Sequence, residues 1–591
     1  MSEYPAVTPE FLAAARGDAP ADVLFRGGCV VNVFSREIVK ADVAVFGGRI
    51  CSVGPGILAR RTVELGGRVI APGFIDAHMH VESTMLPPSE FVRLAAPHGT
   101  TGVVLDPHEI ANVHGVAGIE AVMRNAGEVG EQPIDFMFTL SSCVPSCHLE
   151  TSGAELTAAD LEPMFDDERV VALAEMMNYP GVVFGDPGVL EKVNLGLRRR
   201  IVDGHCPGLR GAQLQAYVAA GISSDHESVT LDEAKEKLAL GMTIYIREGS
   251  AAKNLEALRP IVNERTASRI CWCTDDRHPA DLQHEGHIDH IVRKAVGLGL
   301  DPVTAITIAT LNPATHYGRR DVGAVAPGRW ANLVVFDSID NLSPCQVYFK
   351  GELIAEDGNY LPQRAHTPES IRSCFPEPSV ILPENLDIGS FHVSAPAVGA
   401  RIRVIDMDPT QLVTGELRIE PLIESDSIVS DMARDVLKLA VIERHSGTGN
   451  IGLGFVRGFQ LQRGAIASTV GHDAHNLAVV GTNDTDMLIA AKALAQARGG
   501  QCAAVDGAVV ALLPLPIAGL MSDQPAERVI EQQAALLDAT KTLGCPHHDP
   551  FMPLSFLPLP VIPKLKLSDK GLVDVERFDF VPLVCDRVEE V

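Results

Sequence analysis

Between residues 71 and 320 the chain alternates short apolar runs with longer amphipathic segments. The runs that read as strands are GFIDAHMH, TTGVVLDPHE, PIDFMFTLSSC, VVALAEM, IVDGHC, ISSDHE, MTIYIREG and RICWCTDD. Between them, segments such as SEFVRLAAPHG, VAGIEAVMRNAG, GAQLQAYVAAG and TLDEAKEKLALG carry apolar residues at helical spacing. In the last of these Thr230 is placed to cap a helix, Glu233 to close a capping box and Gly241 to end it. An eighth helical segment, HIDHIVRKAVGLG, follows the last strand. Eight strands alternating with eight helices over about 250 residues is what a (β/α)8 barrel of the TIM type requires, although an open doubly wound sheet alternates in the same way.

The ends of the strands favour the barrel. Nearly every predicted strand begins apolar and finishes in metal-competent residues. His78 and His80 end the first, and Asp106, His108 and Glu109 follow the second. Glu175 ends the fourth, His205 the fifth, Asp225, His226 and Glu227 the sixth, and Asp275 and Asp276 the eighth. A parallel barrel gathers these ends at one mouth. His78 and His80, one residue apart, share a face of their strand. Alone they would read as hydrogen-bonded histidines; with the other strand ends converging on them they read as ligands.

The flanks have a different texture. Residues 22–70 and 322–356 are short β-rich runs punctuated by glycine. The expected organisation is a small β domain built from both flanks, 1–70 and 321–375, with the barrel, 71–320, inserted between them. A Pro-rich linker, LPQRAHTPESIRSCFPEPSVILPEN, then leads to a C-terminal α+β domain, 385–591, in which segments such as VSDMARDVLKLAVIERH mix strand and helix patterns.

Composition narrows the function classes. With 46% hydrophobic and 21% charged residues the chain is that of a soluble globular protein, and no run approaches the length of a spanning helix. A net charge of −27, from 76 acidic against 49 basic residues, argues against nucleic acid or an anionic membrane as partner. The first residues lack the pattern of a secretory signal, and the twelve cysteines include no C-x-x-C, so the expected setting is a reducing cytoplasm with ordinary buried thiols.

His78, His80, His205 and His226 supply nitrogens, and Glu175 and Asp275 oxygens. Six such groups exceed one tetrahedral zinc site and suit two ions that share a bridging carboxylate. Nitrogen and oxygen ligation without thiolate fits Mn2+, Fe2+ or Zn2+. A pair of ions ~3.5–4 Å apart brings a shared water to hydroxide near neutral pH, which makes hydrolysis the reaction class. Asp275 is placed to reach both metal and water and to move protons. The HVE at 80–82 matches the H-x-E of zinc nucleotide deaminases, but no P-C-x-x-C accompanies it, so that match is accidental.

With these residues in hand, the chain resembles the amidohydrolase superfamily, through PGFIDAHMH and VGAVAPGRWANLVVFD, and within it the bacterial adenine deaminases. The narrower likeness rests on HMHVESTM, DPHEIANVHG, AEMMNYPGV, DGHCPGL, SDHES and TDDRHP, in that order, with VGHDAHNLAVVGTND near the C-terminus. The resemblance implies conversion of adenine and water to hypoxanthine and ammonia, in purine salvage or catabolism, with Mn2+ or Fe2+ in the site and a homo-oligomer, a dimer being expected. It implies the metal ligands His78, His80, Glu175, His205, His226 and Asp275, with Asp275 also the general base and His226 beside it in catalysis. Glu82 reads as a proton donor to the ring or as support for His80. Asp106 and His108 read as metal ligands or as supports that hold the histidines in place, the support role being favoured. Glu109 reads as a support, an extra ligand or a substrate contact, and Arg247, Asp276 and His472 as substrate contacts. Glu248 reads as a substrate contact or as half of a rim ion pair with Arg247, Arg277 as a positioning residue, and Ser224 and Asp225 as turn-shaping. The loop of His472, Asp473, His475 and Asn476 reads either as a cover for the barrel mouth or as a distant turn. A competing reading keeps the metals and hydrolyses a cyclic amide or another amino-heterocycle; a lysine after strand four would favour it, and Glu175 stands there instead. A scaffold that had lost its metals would show gaps among the ligands, and the chain shows none.

Overall fold

The computed structural model describes residues 6–127, 132–250, 252–362, 367–377, 380–409 and 411–585. Its centre is built from eight parallel strands: β1 (Phe74–Met79), β2 (Thr100–Leu105), β3 (Asp135–Leu140), β4 (Val170–Met176), β5 (Ile201–Gly204), β6 (Ser224–Asp225), β7 (Thr243–Arg247) and β8 (Ile270–Cys273). β1 to β5 form one sheet and β6 to β8 another. Two isolated parallel bridges, Met79↔Asp275 and Val202↔Ile222, join the sheets into a closed barrel.

The strands are buried on both faces, which is why they read as continuous apolar runs. Ile75, Ala77, Val104, Met137 and Tyr245 pack with one another inside the barrel. Their neighbours in sequence, among them Phe74, Val103, Phe138 and Ile246, share a larger cluster with helix residues such as Phe91 and Ile291. The polar tails straddle the strand ends: His78 and Glu175 are the last residues but one of β1 and β4, whereas His80, His205, His226 and Asp275 lie just beyond their strands, and β6 keeps only two residues. The helix after β2 begins at His108, well before the apolar pattern, and breaks at Gly115 (φ 59°). Thr230 does cap its helix, accepting from Glu233 N at 3.4 Å. Glu233 does not return the bond; its carboxylate accepts from Gly208 N and Lys237 instead, at 2.9 and 2.8 Å.

The two flanks meet in one nine-stranded sheet, joined by the antiparallel pair Val69–Pro72 and Leu333–Phe336. The C-terminal region forms a second nine-stranded sheet, in which Val436–Ile442 lies between Ile451–Arg457 and Leu477–Gly481. Alternation along Val436–Ile442 gives this sheet two apolar faces. Ala440 and Ile442 pack with Met487, Ala490 and Leu494 of the helix Asp484–Gln496. Leu437, Leu439 and Val441 join Val529 and Leu536 of the helix Ala526–Thr542, together with Met85 and Leu86 from the turn after β1. The second cluster therefore docks the C-terminal sheet against the loop that follows the histidine pair. Leu439→Ala, in the middle of that fully buried face, is expected to destabilise the protein by about 2–5 kcal/mol, seen as a lower urea midpoint for unfolding.

Candidate active site

The seam that closes the barrel also assembles its polar mouth. Asp275 N donates to His78 O at 3.1 Å and His80 N to Asp275 O at 3.2 Å. Asp275 takes a left-handed conformation, φ 57°, to make these bonds. Behind it, the Asp76 carboxylate accepts from His78 N and Thr274 N, both at 3.2 Å, and so fastens the same seam a second time. His80 Nδ1 lies 3.0 Å from Asp106 O; that acceptor fixes the proton on Nδ1 and leaves the Nε2 lone pair facing the mouth.

Glu175, at the end of β4, sits between two pairs of imidazoles. Its Oε1 lies 3.3 Å from His80 Nε2 and 3.6 Å from His78 Nε2. Its Oε2 lies 2.6 Å from His205 Nδ1 and 3.2 Å from His226 Nε2. Asp275 Oδ1 is 3.1 and 3.4 Å from His80 and His78. Burial works to raise both carboxyls, but His226 and His205 hold Glu175, and Arg247 holds Asp275, well below the usual carboxylate range. His78 Nε2 is buried with no hydrogen-bond partner, yet it points at two carboxylates. A buried lone pair in that position, among four imidazoles and two carboxylates, fits a pair of divalent cations. All six belong to groups whose donor atoms lie within 4.8 Å of one another.

Above this floor lies a small cavity that opens over Glu175, His205, His226 and Asp275. Arg247 stands at its side, bonded through Nη1 to Glu227 and to Asp275 Oδ2. The roof comes from the C-terminal domain: Leu412, Phe556, Leu559 and Ile562 are apolar, and His472 and Asp473 are polar. His472 stacks on Phe556 with ring centroids 4.2 Å apart. His475 Nδ1 accepts from Gly471 N at 3.2 Å, so its proton is on Nε2, 2.8 Å from Glu109 Oε2. Glu109 Oε1 lies 2.9 Å from His472 Nδ1. Burial lowers His475 to about 4 and keeps it neutral, whereas, against burial, Glu109 is held well below the usual range and His472 rises to about 9 beside it.

The remaining residues singled out in the sequence fall as follows. Asp276 accepts from Ser83 Oγ at 2.5 Å on the cavity wall, its carboxyl raised by burial and by Asp275. Glu82 lies behind Glu109, outside the cavity lining, where burial and then Glu109 raise it to about 7. Glu248 turns away to Lys294 and Leu255 N, so it makes no rim pair with Arg247. Arg277 is buried against Gly286 O and Glu285. Sequence reasoning gave Glu227 no role and did not find Met177, Leu412, Phe556, Leu559 or Ile562. Glu227 stood inside SDHES and was legible; the apolar residues carry no signal that separates pocket from core.

A buried nitrogen and carboxylate cluster at the C-terminal mouth of a (β/α)8 barrel defines a metal-dependent hydrolase of the amidohydrolase kind, and the amidohydrolase family pattern matches residues 69–358. The pattern of the adenine deaminase C-terminal domain matches residues 411–579. Similar proteins run the whole length. An adenine deaminase of Desulfatibacillum aliphaticivorans is 48% identical over 578 residues, 98% of this chain and 100% of that protein. One of Methanothrix thermoacetophila is 46% identical over 97% of this chain and 99% of its own length. One of Dehalococcoides mccartyi is 44% identical over 97% and 98%. The chain belongs to the adenine deaminase family.

Under the roof, Glu150 is buried beside Asp473 and accepts from Ser146 Oγ at 2.5 Å. Burial, then the charge of Asp473, raises its carboxyl to about 8. A carboxyl raised on folding contributes stability that is complete below its unfolded pKa, about 4.3, and is lost as pH rises through about 8. The melting temperature should therefore fall as pH rises from 6 to 9, and Glu150→Gln should flatten that fall; superimposable curves would mean that Glu150 is already ionised at pH 6.

Proposed function

We propose that the barrel mouth hydrolyses adenine to hypoxanthine and ammonia, with His78, His80, Glu175, His205, His226 and Asp275 holding two divalent cations, Mn2+ or Fe2+ before Zn2+. The observation that carries this reading is Glu175 with one oxygen toward the β1 histidines and the other toward those of β5 and β6. When bound, such ions supply a water of lowered pKa and charge stabilisation at the carbon under attack.

The side chains do the rest. Arg247 binds Asp275 Oδ2 and fixes the carboxylate with Oδ1 toward the histidines, where it takes the proton of the attacking water and passes it to the amine leaving C6. Phe556, Leu412 and Ile562 meet the faces of a flat ring and exclude bulk water. His472, held by Glu109, and Asp276 supply polar contacts to the ring edge. Glu82, with a carboxyl near neutrality behind Glu109, serves as a proton reserve rather than as a contact.

The test is ammonia release from adenine, with adenosine in parallel, by Mn2+-loaded protein against a metal-free control. Release from adenine alone is expected. No release from either, with metal bound, would remove the purine assignment and turn attention to cyclic amides. Asp275→Asn is expected to lower kcat by about 10²–10⁴-fold. Elemental analysis of that variant separates loss of the base from loss of metal.

A further inference from the structure

The barrel ladder is thin between β5 and β6. The two sheets meet there through the bridge Val202↔Ile222, and β6 is two residues long. His205 and His226 hang from opposite sides of this gap, yet both face the same Glu175 oxygen. Beyond the bridge, side chains carry the link. Gly204 N donates to Ser224 Oγ at 3.2 Å and Cys206 N to Asp225 Oδ1 at 3.0 Å. Lys237, from the helix Leu231–Ala239, then reaches in with its side chain wholly buried. Its Nζ donates to Asp225 Oδ2, Cys206 O and Glu233 Oε1, each at 2.8 Å.

These bonds close a ring. Cys206 N–H binds Asp225, Asp225 binds Lys237, and Lys237 binds Cys206 C=O. Both polar backbone groups of the residue after His205 are thereby tied to the residue before His226. All three ammonium protons are used. Burying such an ion cluster adds little net stability over an apolar filling, and fixing one register is the best-attested use of one.

We propose that Lys237 is a positioning residue of the metal centre, holding His205 and His226 at a fixed separation where the strand ladder does not. The proposal rests on reading those histidines as metal ligands. The test compares wild type, Lys237→Met, Asp225→Asn and His226→Ala by Mn2+ competition against a chelating dye, by metal content, and by melting of the metal-free proteins. Lys237→Met and Asp225→Asn are expected to weaken one of the two ions by about 10–100-fold and to leave the other in place. Asp225→Asn, which keeps the acceptor for Cys206 N, carries the test if Lys237→Met does not fold. Wild-type affinity for both ions in these two variants, with binding lost in His226→Ala, would overturn the proposal and leave Lys237 a stabiliser of the fold. Full binding in His226→Ala would instead overturn the ligand reading on which the proposal stands.

Discussion

Two backbone hydrogen bonds, Asp275 N to His78 O and His80 N to Asp275 O, carry more of this molecule than any other contact. They close the barrel, and in closing it they set the β8 carboxylate against the β1 imidazoles. Closure and assembly of the polar mouth are thus one event. The cost is a non-glycine residue in the left-handed region, a strain of order 1–3 kcal/mol held by the seam and by Asp76 beneath it.

The second constraint is the docking of the C-terminal domain. Glu109 belongs to the barrel, and the two histidines that face it, the charged His472 and the neutral His475, belong to the other domain. Without them Glu109 would be a buried carboxylate with Glu82 for a neighbour. Polar contacts pin the same interface at its edges: Asn476 Nδ2 to Thr151 O, Thr151 N to Asp569, and Ser522 N to Met85 O, between 2.8 and 2.9 Å. The cavity exists only because both halves are present.

What was legible in the sequence follows from these constraints. Parallel strands buried on both faces show as apolar runs, and a mouth rich in ligands shows as polar tails at fixed places, so the barrel and its donors could be read residue by residue. Glu233 was misread because a capping box and a buried ion cluster use the same residue types; the helix itself puts Lys237 four residues on beside it, but only the fold brings Gly208 N and buries the pair. Glu82, read as a proton donor to the ring or as a support for His80, lies close to Glu109 and accepts from Ile110 N, a partner that only the turn after β1 supplies. Leu412, Phe556 and Ile562 were invisible, since an apolar residue facing a cavity and one facing a core are the same letter.

The roof has a consequence for how such an enzyme changes over time. In the proposed mechanism the bond-breaking groups sit on strand ends of one domain, and most of the apolar surface that meets the ring sits on a helix end and loops of another. Selectivity and reactivity are therefore encoded in separable stretches of chain. Changes at Leu412, Phe556 or Ile562 would then alter the shape of the ring admitted without touching the donor set beneath.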